Sequence, residues 1–525
     1  MHGATIGSRV WNYSARWLMV AILAACGGAN EAASAASPAS ERTSVVEAVA
    51  PSATPLQVEI TPVPPTATVA ALPTQVVAHP TWSAVATERP DSSSSGDRHP
   101  LCRIVNSYRS PVPAMVSTPD LLTVEEAYYC LVDHFVDVPS TPTLLYAAWQ
   151  RLAVGFPEDQ LTGLPLTGMP ATDWPIFRDK VKELRAAHTD WAPDYRAAIA
   201  AMTASLDDRH TYYQAPALFE ESRLRRAGRP AYVGVGLSVA RQEGHTVVVS
   251  VVADGPAAEG GVMQGDDLLS VNGLDVSTLP SPALSAALRG MGREDVRLVL
   301  RHHGTGLPVE LVLHPRTIQP PVLTSNLLDG GVGYIRLAVF GEGSAQRVRG
   351  AVQELRQQGA TRIIFDLRGN GGGSLSELQS IAGNFLDHGS LGTLTDRGGK
   401  TEAIRVRGGS EQLRVPFVVL IDRGSASASE VFAGAVQELH AAQVLGEHSA
   451  GAVDGLLAWA LDDGSVMNIT DVRISTTSGK RLDRVGLSPD IPVLPTLDDL
   501  LAGRDVQLAV ARDVVLGNDV GALNR

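Results

Sequence analysis

The stretch "LIDRGSASASEVFAGAVQELH", residues Leu420 to His440, leads from an apolar segment through three alternating serines into a helical pattern. A hydroxyl at the first turn of a helix lies where free backbone N–H groups and the positive end of the helix dipole converge. Those N–H groups can also hold the oxyanion of a tetrahedral intermediate, so serines at strand–turn–helix junctions recur in acyl-transfer enzymes. Alternating Ser and Ala at a helix start are, by themselves, more typical of capping. The neighbouring segments therefore decide the interpretation.

Strands and helices alternate on both sides of this stretch, from about residue 325 onward. The segment "TRIIFDLRGNGGG", residues 361–373, is typical of a buried strand that ends in a Gly-rich loop. The helical segment before it carries Val348, Val352 and Leu355 on one face. Such alternation predicts an α/β layer structure in which loops at the strand ends present the chemistry.

Two further units precede this layer. Residues 111–228 have the apolar spacing of helices and end in "LDDRHTYY", which contains His210. Residues 229–316 change to short β-rich pieces separated by turns, which resemble a PDZ domain across nearly the whole segment. The alternative is another small β-rich domain with a Gly turn. In a PDZ domain, "YVGVGL" matches the loop whose backbone N–H groups capture a peptide carboxylate. The expected peptide-binding residues are then Val233, Gly234, Val235 and Gly236.

The N-terminus has the features of a targeting segment. Arg9 and Arg16 precede a short apolar run that ends in "LAAC", and this resembles the lipobox of bacterial lipoproteins. Residues 1–26 are therefore predicted to be a lipoprotein signal peptide with Cys26 as the lipidated residue; an ordinary secretory signal is the alternative. Residues 27–110 are rich in Ala, Ser, Thr and Pro and are predicted to form a disordered tether. We expect the mature protein to be extracytoplasmic and lipid-anchored to a bacterial membrane.

Charge and cysteine content narrow the function further. The formal net charge of −13, without a long Lys/Arg run, argues against nucleic acid as a partner. Two cysteines remain after Cys26, and an oxidising compartment permits a disulfide between Cys102 and Cys130. No metal-binding motif and no phosphate-binding Gly loop with its lysine is present, so neither a metal nor another cofactor is predicted.

Three segments in order carry a family resemblance: "DLRGNGGG" at residues 366–373, "GSASASEVFAGAVQE" around Ser427, and the closing "VGLSPDIPV". Behind a helical segment and a PDZ domain, they closely resemble the C-terminal processing peptidases, also called tail-specific proteases, over about residues 115–495. The resemblance implies an α/β core of the crotonase and Clp-protease type over residues 317–500, followed by a tail at residues 501–525. It implies Ser427 as the nucleophile, with an oxyanion hole formed by Gly372, Gly373 and Ala428. Asp366 and Arg368 are expected to shape the Gly loop.

The base that activates Ser427 departs from the best-known branch of this family. That branch uses a lysine in a "GKG" segment, and Ala452 in "GEHSAGAVDG" stands where this lysine would be. The chain has only four lysines, and none lies between residues 401 and 479. A Ser/Lys dyad would therefore need Lys400 or Lys480 to approach from elsewhere.

A histidine is the alternative base, because its usual pKa lies near neutral. The segment "LDDRHT" resembles the "DGHT" segment of the histidine-using branch, which often has "GxxTAGA" where this chain has "GEHSAGA". That resemblance implies His210 as general base and Asp483 as the residue that orients it. His448 is a rival base, and His210 is alternatively a capping or surface residue. Asp483 is alternatively a solvated charge beside Arg481 and Arg484.

Two functional hypotheses follow from the sequence. The first is a membrane-anchored serine endopeptidase that recognises exposed protein or peptide C-termini through its PDZ domain and hydrolyses peptide bonds through an acyl-enzyme. The second is a catalytically inactive pseudopeptidase that acts as a C-terminus-binding adaptor, since Ala452 replaces the lysine and fold does not guarantee function. The position of His210 relative to Ser427 is the feature that discriminates between them.

Overall fold

The computed structural model describes most of the chain beyond the predicted tether, namely residues 102–105, 119–156, 163–290, 295–408 and 415–518. The predicted signal peptide, the lipidation residue Cys26 and most of the predicted tether lie outside these residues. Among the helices described, none is both long enough and apolar enough to span a bilayer.

The first unit is mainly helical. Asp120 caps its first long helix by accepting a hydrogen bond from the backbone N–H of Thr123 at 3.0 Å. Its elements are β1 (Arg103–Ile104), α1 (Leu121–His134), α2 (Thr141–Leu152), α3 (Pro170–Ala187), α4 (Tyr195–Ala204), β2 (Tyr212–Gln214) and α5 (Pro216–Arg226). The helices bury a common core, which includes the stacked rings of Tyr128 and Trp174.

The second unit has the expected PDZ elements, a small sheet with two helices. Its elements are β3 (Tyr232–Gly234), β4 (Leu237–Gln242), β5 (His245–Val251), α6 (Pro256–Glu259), β6 (Asp267–Val271), β7 (Leu274–Asp275), α7 (Ser281–Leu288), β8 (Val296–Arg301), β9 (Val309–Leu313) and β10 (Arg316–Ile318). The sheet order is β4-β5-β6-β8-β9, so β4 is an edge strand, and β3 pairs separately with β10.

The third unit is the α/β core. Its elements are β11 (Leu323–Leu328), β12 (Val332–Leu337), α8 (Ser344–Gln357), β13 (Arg362–Asp366), α9 (Leu375–Phe385), β14 (Ser390–Asp396), β15 (Thr401–Arg405), β16 (Phe417–Ile421), α10 (Ala428–Glu438), β17 (Gln443–Gly446), β18 (Gly455–Ala460), β19 (Val466–Ser475), β20 (Ile491–Pro492), α11 (Leu497–Leu501) and α12 (Val506–Leu516).

Two sheets organise this core. In the first, ordered β11-β12-β13-β16-β17-β20, all neighbouring pairs after β11 are parallel. The Gly loop follows β13 and the Ser loop follows β16, so both lie at the carboxyl edge of adjacent parallel strands. The second sheet is ordered β1-β18-β19-β14-β15, and β2 pairs with β19. The predicted α/β core with an inserted PDZ domain and N-terminal helices is confirmed.

The predicted tail at residues 501–525 is wrong for its first half. Helix α12 packs its apolar face on the parallel sheet, where Ala511 and Val515 are buried beside Leu420 and Leu445. This helix covers the face of the sheet opposite α8, α9 and α10, because a parallel sheet is buried on both faces.

Candidate active site

The three serines of the opening stretch have different environments. Ser425 and Ser429 are fully buried, and their hydroxyls donate to the carbonyls of Leu367 at 2.9 Å and Asn370 at 2.8 Å. They therefore fasten the Ser loop to the Gly loop after the neighbouring strand. Ser427 lies between them and is only half-buried. The alternation of serines thus combines two structural hydroxyls with one hydroxyl that faces the site.

Ser427 has an unusual backbone conformation. Its φ of 53° and ψ of −117° lie outside the backbone regions that a residue other than glycine readily adopts. The residue sits at the sharp turn between β16 and α10, directly before the first helical residue Ala428. Strain of this kind, of about 1–3 kcal/mol, occurs at functional sites where the surroundings impose it. Here the backbone N–H of Ser427 donates to the carbonyl of Ala452 at 2.7 Å, which helps to impose it.

Glu430 is a residue of this site that sequence reasoning missed. Its carboxylate is fully buried in the first turn of α10 and accepts hydrogen bonds from several donors. The donors are the backbone N–H of Ser427 at 3.1 Å, the hydroxyl of Ser449 at 2.5 Å, and the N–H groups of Gly451 at 2.8 Å and Ala452 at 2.9 Å. Glu430 therefore fixes the segment containing Ala452 against the Ser427 turn. The Ser-x-x-Glu spacing of a capping box was the available signal.

The structure also shows why no lysine serves at this turn. Ala452 adjoins Ser427 through the 2.7 Å backbone hydrogen bond, and its methyl side chain carries no amine that could act as a base. Lys480 is exposed and lies two residues after Ser478. The backbone N–H of Ser478 donates to the carboxylate of Glu438 at 3.0 Å. Glu438 ends the 11-residue helix that Ser427 begins, so this lysine is at the far end of a helix about 16 Å long. Lys400 lies exposed in the β14–β15 turn.

His210 and Asp483, which are far apart in sequence, form a direct pair. Nε2 of His210 lies 2.8 Å from Oδ1 of Asp483, and the two side chains are only 9% and 12% exposed. Oδ1 also accepts from the backbone N–H of Val453 at 3.4 Å, one residue beyond Ala452. The histidine–aspartate pair is thereby connected to the segment that contacts the Ser427 turn.

The surface alternatives for these two residues do not match their environment. Arg481 pairs with Asp454 at 2.7 Å and Arg484 pairs with Asp207 at 2.8 Å, so the direct ion-pair partners of both arginines are other carboxylates. The backbone N–H of His210 donates to Oδ1 of Asp208 at 3.1 Å, which anchors the loop before β2. Strand β2 then pairs with β19. The imidazole is therefore held at the junction of the helical unit and the second sheet of the core.

The contact between the serine and the histidine is not made in this structure. In the described part of the chain, no hydrogen bond joins the Ser427 hydroxyl to the His210 ring, whose Nε2 bonds to Asp483. When Nε2 donates to the carboxylate, the unprotonated Nδ1 is the ring atom that remains to accept a proton. Hydrogen bonds between catalytic groups often tighten only when substrate binds.

The rival base His448 lies in a different environment. His448 is exposed, and its Nδ1 lies 3.1 Å from the carbonyl of the next residue, Ser449. Its ring lies so close to Gly486 that a Cβ there would come within 2.3 Å of Cε1. Since no carboxylate in the described residues orients this ring, His448 lacks the partner that His210 has.

The glycine loop touches the serine turn. Gly372 has φ of +92°, and a Cβ on it would lie 2.7 Å from Cβ of Ser427 and 2.9 Å from the backbone nitrogen of Ala428. Its own N–H donates to Oδ1 of Asn370 at 2.9 Å and is therefore engaged. This corrects the expectation that Gly372 supplies an oxyanion donor: its role is to allow close approach. The N–H groups of Gly373 and Ala428 have no acceptor within the described residues.

Asp366 and Arg368 form an ion pair at the start of the Gly loop, where they were expected to shape it. The guanidinium Nη2 lies 2.7 Å from Oδ2 of the fully buried Asp366, and Nη1 lies 2.8 Å from Oδ1 of Asp505 beside α12. Burial alone would lower the pKa of the Arg368 guanidinium, but the two carboxylates more than offset it and the pKa is raised. Through these two ion pairs, Arg368 links the Gly loop to the start of helix α12.

The PDZ unit has a groove of about 570 Å³ between edge strand β4 and helix α7. Of the four predicted peptide-binding residues, Val235 and Gly236 line it, whereas Val233 and Gly234 belong to β3 and pair with β10. Val233 is 52% exposed, away from the groove, which corrects that part of the expectation. The N–H of Val235 donates to the carbonyl of Leu288 at 3.2 Å, so this donor is occupied without a peptide.

Cys102 and Cys130 are joined by a disulfide, with their Cα atoms 5.6 Å apart. The bond ties the segment of β1, at the edge of the second sheet, to helix α1. No cluster of three or more potential metal ligands occurs in the residues that the structure describes.

Comparison with known proteins shows which family the chain resembles. Residues 331–493 match the model of peptidase family S41, and residues 247–302 match a PDZ domain model. The chain is 30% identical over 354 residues to a carboxyl-terminal-processing protease of Synechocystis sp.. The aligned region covers 66% of this chain and 82% of the relative. It is 32% identical over 384 residues to the chloroplastic C-terminal processing peptidase of Tetradesmus obliquus, with coverages of 68% and 79%.

The chain belongs to the C-terminal processing peptidase family. Among solved structures it is similar to a photosystem II D1 C-terminal processing protease, with 25% identity, a TM-score of 0.46, and coverage of 74% of this chain and 99% of that one. As a member of the C-terminal processing peptidases, the protein is a serine peptidase with a PDZ domain.

Proposed function

We propose that the protein is an extracytoplasmic endopeptidase, anchored to a bacterial membrane by lipid on Cys26, that binds exposed protein C-termini in its PDZ groove. The observation that carries the mechanism is the His210–Asp483 pair, buried and 2.8 Å apart beside the segment that contacts Ser427. The lipobox-like "LAAC" and the Pro-rich stretch after it support the anchor and the tether.

In the proposed mechanism, Ser427 Oγ attacks the scissile carbonyl and His210 accepts its proton. Asp483 holds the imidazole in one tautomer and stabilises the imidazolium that forms. The tetrahedral oxyanion is held by the N–H groups of Ala428, at the N-terminus of α10, and Gly373. The protonated histidine then gives its proton to the leaving amine, which departs and leaves the acyl-enzyme. His210 next takes a proton from water as the water oxygen attacks the acyl carbonyl, and that proton returns to Ser427 Oγ as the new C-terminus is released.

We expect substrate to complete this arrangement, because hydrogen bonds between catalytic groups often tighten only when substrate binds. His210 follows α4 of the helical unit, whereas Ser427 belongs to the α/β core. An active site that is completed only by bound substrate would limit the cleavage of neighbouring proteins by a tethered protease.

The test is cleavage of an unfolded protein with an apolar C-terminus by the full-length chain in detergent. Wild type is compared with Ser427→Ala, His210→Ala and His448→Ala. We expect the first two variants to lose activity and His448→Ala to retain it. Loss only in the His448 variant would transfer the base to that residue. If wild type binds C-termini but cleaves no substrate, the hypothesis of a catalytically inactive adaptor is correct.

A further inference from the structure

The PDZ groove is unusually basic for this acidic chain. Its lining includes no aspartate or glutamate, although the chain as a whole has a formal net charge of −13. Four arginines line it, namely Arg225 from α5, Arg241 from β4, Arg289 after α7, and Arg423 from the Ser loop of the peptidase core. Positive charge has therefore been concentrated where a peptide would lie.

Two of the four arginines are neutralised from outside the groove. Arg289 is 2.6 Å from Glu221, and Arg423 is 2.9 Å from Glu447. These arginines are held in place but contribute little net charge.

The other two arginines have no acidic partner within the described residues. Arg225 is exposed at the C-terminal end of α5. Arg241 is also exposed, and its guanidinium donates only to backbone carbonyls, those of Val276 at 2.7 Å and of Leu279. A carbonyl partner fixes a guanidinium without cancelling its charge. The groove therefore presents at least two uncompensated cations.

The geometry of the edge strand assigns a position to one of these cations. A peptide that adds to β4 with its carboxylate at the Val235–Gly236 loop runs antiparallel to that strand. Leu237, Val239 and Arg241 share one face of β4, and four residues of strand cover about 13 Å. The apolar end of the groove thus meets the terminal residue, and Arg241 meets a residue about four positions before it.

We propose that the groove selects C-termini in which acidic side chains precede an apolar terminal residue, with Arg225 and Arg241 as the selecting cations. This inference rests on the proposed binding of C-termini by the PDZ unit and names the substrate class. Each exposed ion pair changes affinity by about 1.4-fold to fivefold, so two pairs predict roughly twofold to 25-fold selectivity.

The test measures fluorescence anisotropy of three labelled octapeptides with full-length Ser427→Ala protein, which does not consume them. The peptides end in Ala-Ala-Val and carry glutamate, glutamine or lysine at the three preceding positions. We expect affinity in the order glutamate, glutamine, lysine at about 50 mM salt, with the differences falling strongly near 0.5 M salt.

Two variants locate the selecting charges, and the ratio of the glutamate to the glutamine peptide is the readout. Arg225→Ala and Arg241→Ala should each reduce that ratio, even if Arg241→Ala also weakens all binding by loosening the turn that it anchors. Arg297→Ala is the matched control, since this exposed arginine lies on β8 and outside the groove lining.

The outcomes separate this inference from the proposed function. Equal affinities for the three peptides, each lost when the terminal carboxylate is amidated, would overturn the acidic preference while leaving C-terminus binding intact. Binding that amidation does not weaken would overturn C-terminus binding itself. An unchanged ratio in both arginine variants would overturn the assignment of the selecting residues.

Discussion

Replacing Asp483 by asparagine should remove most of the catalytic rate while leaving the fold intact. Asparagine can keep an oxygen at Oδ1, which accepts from His210 at 2.8 Å and from the Val453 N–H at 3.4 Å. What it loses is the negative charge beside a ring that is 9% exposed. A hydrogen bond to a charged group is worth about 1.5–3 kcal/mol, which corresponds to a rate loss of roughly 13-fold to 160-fold. An amide that also favours the wrong tautomer extends the loss to about 10⁴-fold.

The assay is kcat for an internally quenched peptide, with the thermal midpoint measured on the same samples. Asp267→Asn is the matched control, because Asp267 accepts from the PDZ histidine His245 at the same 2.8 Å and lies outside the proposed triad. We expect this control to change kcat by less than about threefold. An Asp483→Asn enzyme that keeps more than a tenth of wild-type kcat would refute the orienting role.

Three further predictions concern the surroundings of the site. Gly372→Ala should reduce kcat at least about 100-fold, because the added Cβ would lie 2.7 Å from Cβ of Ser427. Gly371→Ala is the control and should keep its kcat, since its Cβ would point into open space. Equal kcat values for the two variants would contradict this prediction. Glu430→Gln should lower both kcat and the unfolding midpoint, since a buried amide cannot accept all four hydrogen bonds. An unchanged kcat would mean that the conformation of the Ser427 turn does not depend on Glu430. Burial raises the pKa of Glu126 to about 8, so its contribution to stability is present below about pH 4.5 and is lost as pH rises through 8. Denaturant midpoints at about pH 6 and 8.5 should therefore differ in wild type and differ less in Glu126→Gln; identical pH profiles would exclude this carboxyl as the cause.

The local parts of the site were predictable because their signals are local. A buried strand followed by glycines, and a second strand followed by alternating serines and a helix, specify two loops at the carboxyl edge of neighbouring parallel strands. The absence of lysine between residues 401 and 479 excluded a local lysine base from composition alone. The family resemblance added the order of the units and was confirmed by the comparisons.

The hydrogen-bonding state of each group required the tertiary structure. Sequence motifs do not show that the Gly372 N–H is already engaged by Asn370, or that Glu430 gathers four donors from two segments. Helix α12 was mistaken for tail because its short apolar stripe acquires meaning only against the second face of the sheet.

The sequence by itself excluded a lysine base near Ser427, and its resemblance to a known family implied Ser427 as the nucleophile and a PDZ unit beside the peptidase core. Only the tertiary structure decided that His210 meets Asp483 across 273 positions, and that Arg423 of the core lines the PDZ groove. The physical reason is range: turn and helix preferences act over a few residues, whereas an ion pair or a groove depends on how separate elements pack.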